Sequence, residues 1–466
     1  MCEYSIGTLA ATLGGQLSLG SMPPLDGEAT PVGRIVSDTR TLEPGDVFWA
    51  LVGPKFNGAD FADEAFARGA AGVVVAGRQV EPWAGRWSLQ IDDTRWGLWR
   101  LAARVRQDFG GTVIGVTGSV GKTTTRQMIH TVLGSRLQGS ASPRNLNNYL
   151  GVPLTMTGWR GLDDYGVVEL GASRLGEIES LAGLCQPEIG VVTCIGEAHL
   201  GGFGSQAAIA EAKSELLAAL PADGHAILGD DPWLRRVAVR SRAKVEWVGV
   251  DSACDLVASD VTSRDGCLSF RVENQTFRVP VWGRHHLTAA LAAIAVGRRF
   301  GVSLPHAAEA LAGYESMPQR SRVVGVRGMM VVDDTYNASP TAMRAALELL
   351  QEISTPGRRI VVCGDMCELG ASSSGWHRQV GEQAVRLGKA DLLIACGKYA
   401  REVVIGARDA GLHTHKAIAC QMPLDALPLL QREAHSGDVL LFKASRAMKL
   451  ERLLEAFIAT PMQIAA

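Results

Sequence analysis

The stretch VIGVTGSVGKTTTRQMIHTVL, residues 113–133, sets an apolar β-branched run, a glycine-rich bend and a helical stretch end to end. The run TVIGVT reads as a buried strand, and Met128, Ile129, Val132 and Leu133 recur at helical spacing after the bend. Gly118-Ser119-Val120-Gly121 is therefore a strand-to-helix turn, which commits this part of the chain to an α/β layer. Glycines there leave backbone N–H groups uncovered, and with the positive end of the next helix they form an anion site. Lys122 adds a point charge, Thr123 can set its hydroxyl on a magnesium ion, and Thr117 and Thr124 flank the turn. The whole describes a phosphate cradle.

The strict P-loop spacing would put a glycine at Val116, so a plain motif search passes over this loop. Ser119 to Lys122 also spells the S-x-x-K of acyl-enzyme hydrolases, but the partner motifs S-D-N and K-T-G are absent. No guanine-reading N/T-K-x-D follows a strand, which points to ATP as the nucleotide.

Short β-branched runs alternate with Ala/Leu/Arg helical stretches from here to DVLLFKAS, the rhythm of parallel sheets with crossover helices. A chain of 466 residues exceeds one core, and about 150 residues per domain suggests three. Before residue 106 the pattern changes to short strands and a Pro-Gly turn, and near 314–328 a second break precedes the strand MMVVDD. The expected units are 1–106, 107–316 and 317–466. The class is α/β, with a central P-loop-type, mostly parallel sheet flanked by a small N-terminal α/β domain and a C-terminal Rossmann-like α/β domain.

The net charge of −2 is dispersed, which offers nucleic acid no counterion-releasing stripe. The start lacks a basic n-region and no apolar run nears the roughly 18 residues of a membrane span, so the chain reads as soluble and cytosolic, with no membrane insertion. Nine cysteines, at 2, 185, 194, 254, 267, 363, 367, 396 and 420, are scattered and odd in number, which fits reduced core residues. Cys363 and Cys367 have no second pair at zinc spacing.

Magnesium on a triphosphate needs oxygen ligands at strand ends near the cradle, and YGVVELGAS offers Glu169. His199 follows the strand-like VVTCIG; it is either a satisfied structural imidazole or a ligand. Lys213 falls on one helix side with Ile209, Leu216 and Leu220, where a lysine snorkels or has a task. MMVVDD resembles a Walker B strand ending in Asp333, but lies beyond the second break and more than 200 residues from the loop.

Together TGSVGKTTT, NLNNYLGVPLT, VVELGAS, GEAHLGGFGS, EAKSEL, GDDP and GRHHLTAALAA resemble, in order and spacing, the Mur ligase family of ATP-dependent amide ligases in peptidoglycan precursor synthesis. SDTRTLEPGDVFWALVGPKFNGADF is similar to the UDP-sugar-binding domain of members adding the third residue or the dipeptide. VVDDTYNASPTAMRAAL, GDMCELG with His377 after it, and LLFKASRAMKLE resemble the dipeptide-adding branch, while the D-N-P-R signature of the diaminopimelate-adding branch is absent.

The resemblance implies a cytoplasmic, monomeric enzyme that takes ATP, Mg2+, UDP-N-acetylmuramoyl-tripeptide and D-alanyl-D-alanine, and passes through an acyl phosphate. By similarity Gly118 to Thr123 hold the phosphates, Thr123, Glu169 and His199 serve magnesium, and Lys213 matches a lysine carried as a metal-bridging carbamate. Ser37, Thr39 and Arg40 would meet the UDP end, with Asn147 and Asn148 nearby. Arg322 and Asp334 would close over ATP, and Tyr336, Asn337 and Ser339 would lie towards the dipeptide.

The chain departs from the family where G-x-H-N-x-x-N is expected. It has Gly283-Arg284-His285-His286-Leu287-Thr288-Ala289, and Gly229 replaces an asparagine before DDP. NGADF and GASR likewise stand for D-G-H-D-F and G-A-N-H. Either a divergent lineage reads ATP through backbone and stacking, with His286 over the base, or the chain is a nucleotide-binding cell-wall scaffold with weak catalysis. A related ligase with another amino donor is a further alternative. The intact set of Lys122, Glu169, His199 and Lys213 favours an active ligase.

Overall fold

The structure is a computed structural model that describes residues 4–21, 27–53, 56–143 and 145–459. Its sheets follow one another along the chain. A five-stranded sheet comes first, ordered Gln16–Leu19, Trp87–Ile91, Gly72–Ala76, Val47–Trp49, Ile35–Val36, parallel except for its first strand.

A seven-stranded parallel sheet follows, with Thr112–Thr117 between Ile189–Val192 and Tyr165–Glu169. These strands are buried on both faces, as their unbroken valine and isoleucine runs require. Chain order reverses on either side of Thr112–Thr117, so a crevice opens at its carboxyl end, the switch point at which open α/β sheets take ligands. Register finishes the placement: Val116 pairs with Glu169 and Thr117 with Val192, which brings Glu169 beside the glycine turn.

The third sheet corrects the reading of an unbroken parallel rhythm. Ser259–Arg264, Cys267–Val272 and Gln275–Val279 form an antiparallel meander. Its turn at Asp265-Gly266 has φ of 50° and 76°, the positive pair of a tight hairpin. Phe270 and Phe277 stack across it with centroids 5.1 Å apart and join the core under the helix Leu287–Arg299.

The C-terminal sheet, ordered Arg322–Val326, Met329–Asp334, Val439–Lys443, Arg359–Gly364, Leu392–Cys396, Ala417–Cys420, is parallel except for its first strand. Apolar clusters cover its two faces. By contrast, one continuous cluster runs from Ile6, Trp49 and Leu89 through Leu98, Leu101 and Val105 to Val168 and Leu216. Its bridge is the helix Thr94–Asp108, which Asp93 caps by accepting from the Arg95 and Trp96 amides. The first two sheets thus share a core.

Among the described residues, no helix is long and apolar enough to cross a membrane. The described cysteines are free thiols, Cys363 buried and Cys367 exposed; Cys2 lies outside the described residues.

Candidate active site

The helix Lys122–Gly134 starts at Gly121, whose φ of 83° suits glycine and which has no side chain to cap the first amides. A Cβ on Gly118, φ 141°, would lie 2.0 Å from Thr193 Oγ1. The loop is pinned from behind: Thr193 Oγ1 donates to Val120 O at 2.6 Å, Thr117 Oγ1 to Leu170 O at 2.7 Å, and the Ser119 amide to Cys194 O at 2.9 Å. The result is an open amide cradle that fits a phosphate chain.

Ser119 to Thr124 line a cleft of about 790 Å3 together with Glu169, His199, His286, Asp334, Tyr336, Asn337 and Ser339. Lys122 is turned inward, donating to Gly118 O at 2.8 Å, and burial holds its pKa below the ordinary lysine value. Glu169 receives Thr123 Oγ1 at 2.8 Å on one oxygen and Asn147 Nδ2 at 2.7 Å on the other. Asn147, expected near the UDP end, thus shares Glu169 with Thr123 of the glycine turn. Asn148 also lines the cleft and accepts from the Gly151 amide at 2.9 Å, starting the helix Gly151–Met156.

Lys213 is 2% exposed, with Nζ 3.3 Å from Ala172 O and 5.6 Å from the Phe203 ring centroid. Burial first, and then Lys122, lower its pKa to about 7. His199 sits at φ 61° and faces Glu368 from the C-terminal sheet's side; burial is the main force holding its pKa low.

Arg322 belongs elsewhere. It is exposed on the strand Arg322–Val326 and pairs in register with Asp333, whereas Arg320 lines the cleft and stacks on Tyr336, its guanidinium 4.0 Å from the ring centroid. Asp333 accepts from Thr335 Oγ1 at 2.7 Å. Asp334 is the strand-end carboxylate of the cleft. It accepts from Lys443 Nζ at 2.5 Å, a pair fixed by register between neighbouring parallel strands, and from the Ser321 amide at 3.1 Å. Both side chains are nearly buried, at 3% and 12% exposure, so Lys443→Met strands a carboxylate. The expected cost is about 3 kcal/mol, read from the urea midpoint.

The N-terminal trio is apart from this cleft. Thr39 is buried and donates to Glu64 Oε1 at 3.1 Å, Arg40 is exposed and pairs with Asp38 at 2.7 Å, and Ser37 is half-buried at the end of Ile35–Val36. Arg95 and Tyr149 carry the cleft towards that lobe.

Of the departures from the family pattern, Gly229 has a steric reason. A Cβ on Gly229 would lie 2.1 Å from Thr193 O, so no asparagine fits there. His285 and His286 pack at 4.1 Å between centroids; His286 is buried, and that burial pushes its pKa well below the ordinary histidine value. His286 and Ala289 line the cleft.

The Mur ligase middle domain matches residues 116–297, and the Mur ligase, glutamate ligase domain matches 319–446. The chain is similar to the UDP-N-acetylmuramoyl-tripeptide--D-alanyl-D-alanine ligase of Bacillus subtilis, at 36% identity over 93% of this chain and 95% of that protein. Among solved structures it resembles a MurF from Acinetobacter baumannii, at TM-score 0.83 and 29% identity, covering 98% of this chain and 99% of the other. It also resembles the MurF ligase of Thermotoga maritima in complex with ADP, at TM-score 0.77 and 31% identity, covering 91% and 97%.

Proposed function

The chain belongs to the Mur ligase family, and from that premise we infer what each part of the cleft does. It is an ATP-dependent ligase that joins D-Ala-D-Ala to UDP-N-acetylmuramoyl-tripeptide in peptidoglycan precursor synthesis. We take 1–106, 107–316 and 317–466 as its precursor-binding, nucleotide-binding and dipeptide-binding units, and the cytoplasm, where ATP is held, as its place of work.

A tripeptide carboxylate oxygen attacks the γ-phosphorus, releasing ADP and leaving an acyl phosphate. The dipeptide amine, having shed a proton, then attacks the carbonyl carbon, and the tetrahedral intermediate collapses by expelling phosphate. The first step brings two anions together, so its barrier is largely electrostatic. Gly118 to Thr124 hold the phosphates through their amides, and Lys122 swings from Gly118 O to the γ-phosphate. Arg320 takes the role that the sequence gave to Arg322, beside Asp334. His286 packs at the adenine, Ser37, Thr39 and Arg40 meet the uridine end, and Tyr336, Asn337 and Ser339 orient the incoming amine.

Thr123 and Glu169, bonded at 2.8 Å, suit a hard divalent cation completed by phosphate and water oxygens, and His199 would serve a second. Mg2+ bound there would neutralise charge on the transferring phosphoryl group.

Lys213 is the residue on which we expect carbon dioxide to act. The ammonium sheds a proton, and the neutral amine then adds CO2 and loses a second proton to become a carbamate, so a buried cation is replaced by anionic oxygens. With a pKa of about 7 the amine is neutral above that pH, so activity should rise as pH passes upward through 7. Lys213→Ala should lose about 100-fold in activity. 13C-bicarbonate should give a carbamate resonance that the variant lacks.

One observation carries the reading: Lys122, Thr123, Glu169, His199 and Asp334, drawn from two lobes, line a single cleft. Phosphate release with ATP and UDP-N-acetylmuramoyl-tripeptide tests it. Release should depend on D-Ala-D-Ala, and release indifferent to the dipeptide would remove the proposal.

A further inference from the structure

The motif GDMCELG builds a loop that the reaction scheme leaves unused. Its frame is rigid. His377, 1% exposed, accepts from the Met366 amide at 2.9 Å on Nε2 and holds Ser373 O at 2.6 Å on Nδ1. Asp365 accepts from the Lys398 and Tyr399 amides at 2.8 and 2.9 Å, and Ser445 Oγ receives the Cys367 amide at 2.8 Å.

What this frame presents is Glu368, exposed and at φ 66°. Opposite stands His199, at φ 61°. A non-glycine residue in the left-handed region is uncommon and carries strain, and here two of them meet across a lobe boundary. Glu368 Oε2 contacts His199 Nδ1 as a charge pair, the ring nitrogen being buried and without an aligned hydrogen bond, and Glu368 O accepts from the Gly201 amide at 2.7 Å. The approach leaves room only for glycine: a Cβ on Gly201 would lie 2.8 Å from the Gly370 nitrogen. Nearby, Thr341 donates to Glu197 and closes the same seam.

We propose that Glu368 is a positioning residue for His199: docking of the C-terminal lobe sets a carboxylate on Nδ1, which fixes the proton there and leaves Nε2 bare as the metal-binding nitrogen. A carboxylate behind a ligating imidazole orients the ring and raises its basicity. Because this one arrives from another lobe, the ion site is complete only in the closed enzyme. Ion binding and lobe closure then favour each other, as reciprocal coupling requires. The inference rests on the reading of His199 as an ion ligand.

The test uses the full chain with ADP and Mn2+ as the probe. In metal-free protein, the ring 15N shifts of His199, assigned by their loss in His199→Gln, should report Nδ1–H with bare Nε2. Glu368→Ala should scramble that tautomer and weaken Mn2+ binding about 10-fold. Glu368→Gln keeps an acceptor and should hold the tautomer, a rescue that a merely structural role would not produce. An unchanged tautomer in Glu368→Ala overturns the proposal. So does Mn2+ affinity that falls in His199→Gln but not in Glu368→Ala, which leaves the ligand reading standing. Affinity untouched in both variants removes the ligand reading and the proposal with it.

Discussion

Replacing Lys122 by alanine lowers kcat/KM by about a thousandfold, or about 4 kcal/mol of transition-state stabilisation. The magnitude follows from where the ammonium sits. It lines the cleft from inside the loop, bonded to Gly118 O at 2.8 Å and Ser119 O at 3.4 Å, with no second lysine on the loop to replace it. A cation held in a low-dielectric cleft is worth far more against developing phosphoryl charge than it would be in water. Arginine should not rescue, because its planar fork cannot occupy a point-charge position between two carbonyls. Steady-state phosphate release is the measurement. A loss confined to KM for ATP would mean that Lys122 only binds nucleotide, and a loss under tenfold would refute its catalytic role.

Gly118→Ala has the second large effect and reaches the same loop by a different route. The new Cβ would stand 2.0 Å from Thr193 Oγ1 and 3.1 Å from the Thr193 backbone nitrogen, on a φ of 141° that L side chains rarely adopt. Thr193 cannot simply turn away, because its hydroxyl donates to Val120 O at 2.6 Å and holds the cradle's floor. The loop itself must shift, and the amides that face phosphate shift with it. Loss of about two orders of magnitude in activity is expected, since misplacement by an ångström has that cost. Isothermal titration with ADP should show weakened binding while far-UV circular dichroism stays native. Wild-type affinity in this variant would mean that the loop does not hold phosphate.

The parts legible in the sequence were those in which local pattern and tertiary role coincide. Thr112–Thr117, Gly118 to Gly121 and the helix Lys122–Gly134 were readable because strand, bend and helix each carry their own period. Lys213 was readable because an amine on an apolar stripe breaks that period. Arg320 was missed because it precedes its strand, and its partner, the Tyr336 ring, is brought to it only by the fold. Arg322 looked better placed, yet the edge strand turns it outward. The bond from Asn147 to Glu169 was not legible for a similar reason: nothing in NLNNYLG tells that Glu169 will accept its amide. The antiparallel meander had an Asp265-Gly266 signal that the surrounding α/β rhythm masked. Glu368 had no local signal at all, since its meaning depends on a residue 169 positions earlier in the chain.

The helix Thr94–Asp108, buried against both the first and second sheets, has a consequence for how heat dismantles the molecule. Lobes that share an interior cannot lose order separately, whereas the last lobe has cores of its own, onto which Leu200 and Trp282 of its neighbour pack only from the rim. The four sheets should therefore give only two calorimetric transitions, with roughly the first two-thirds of the chain melting as one cooperative body.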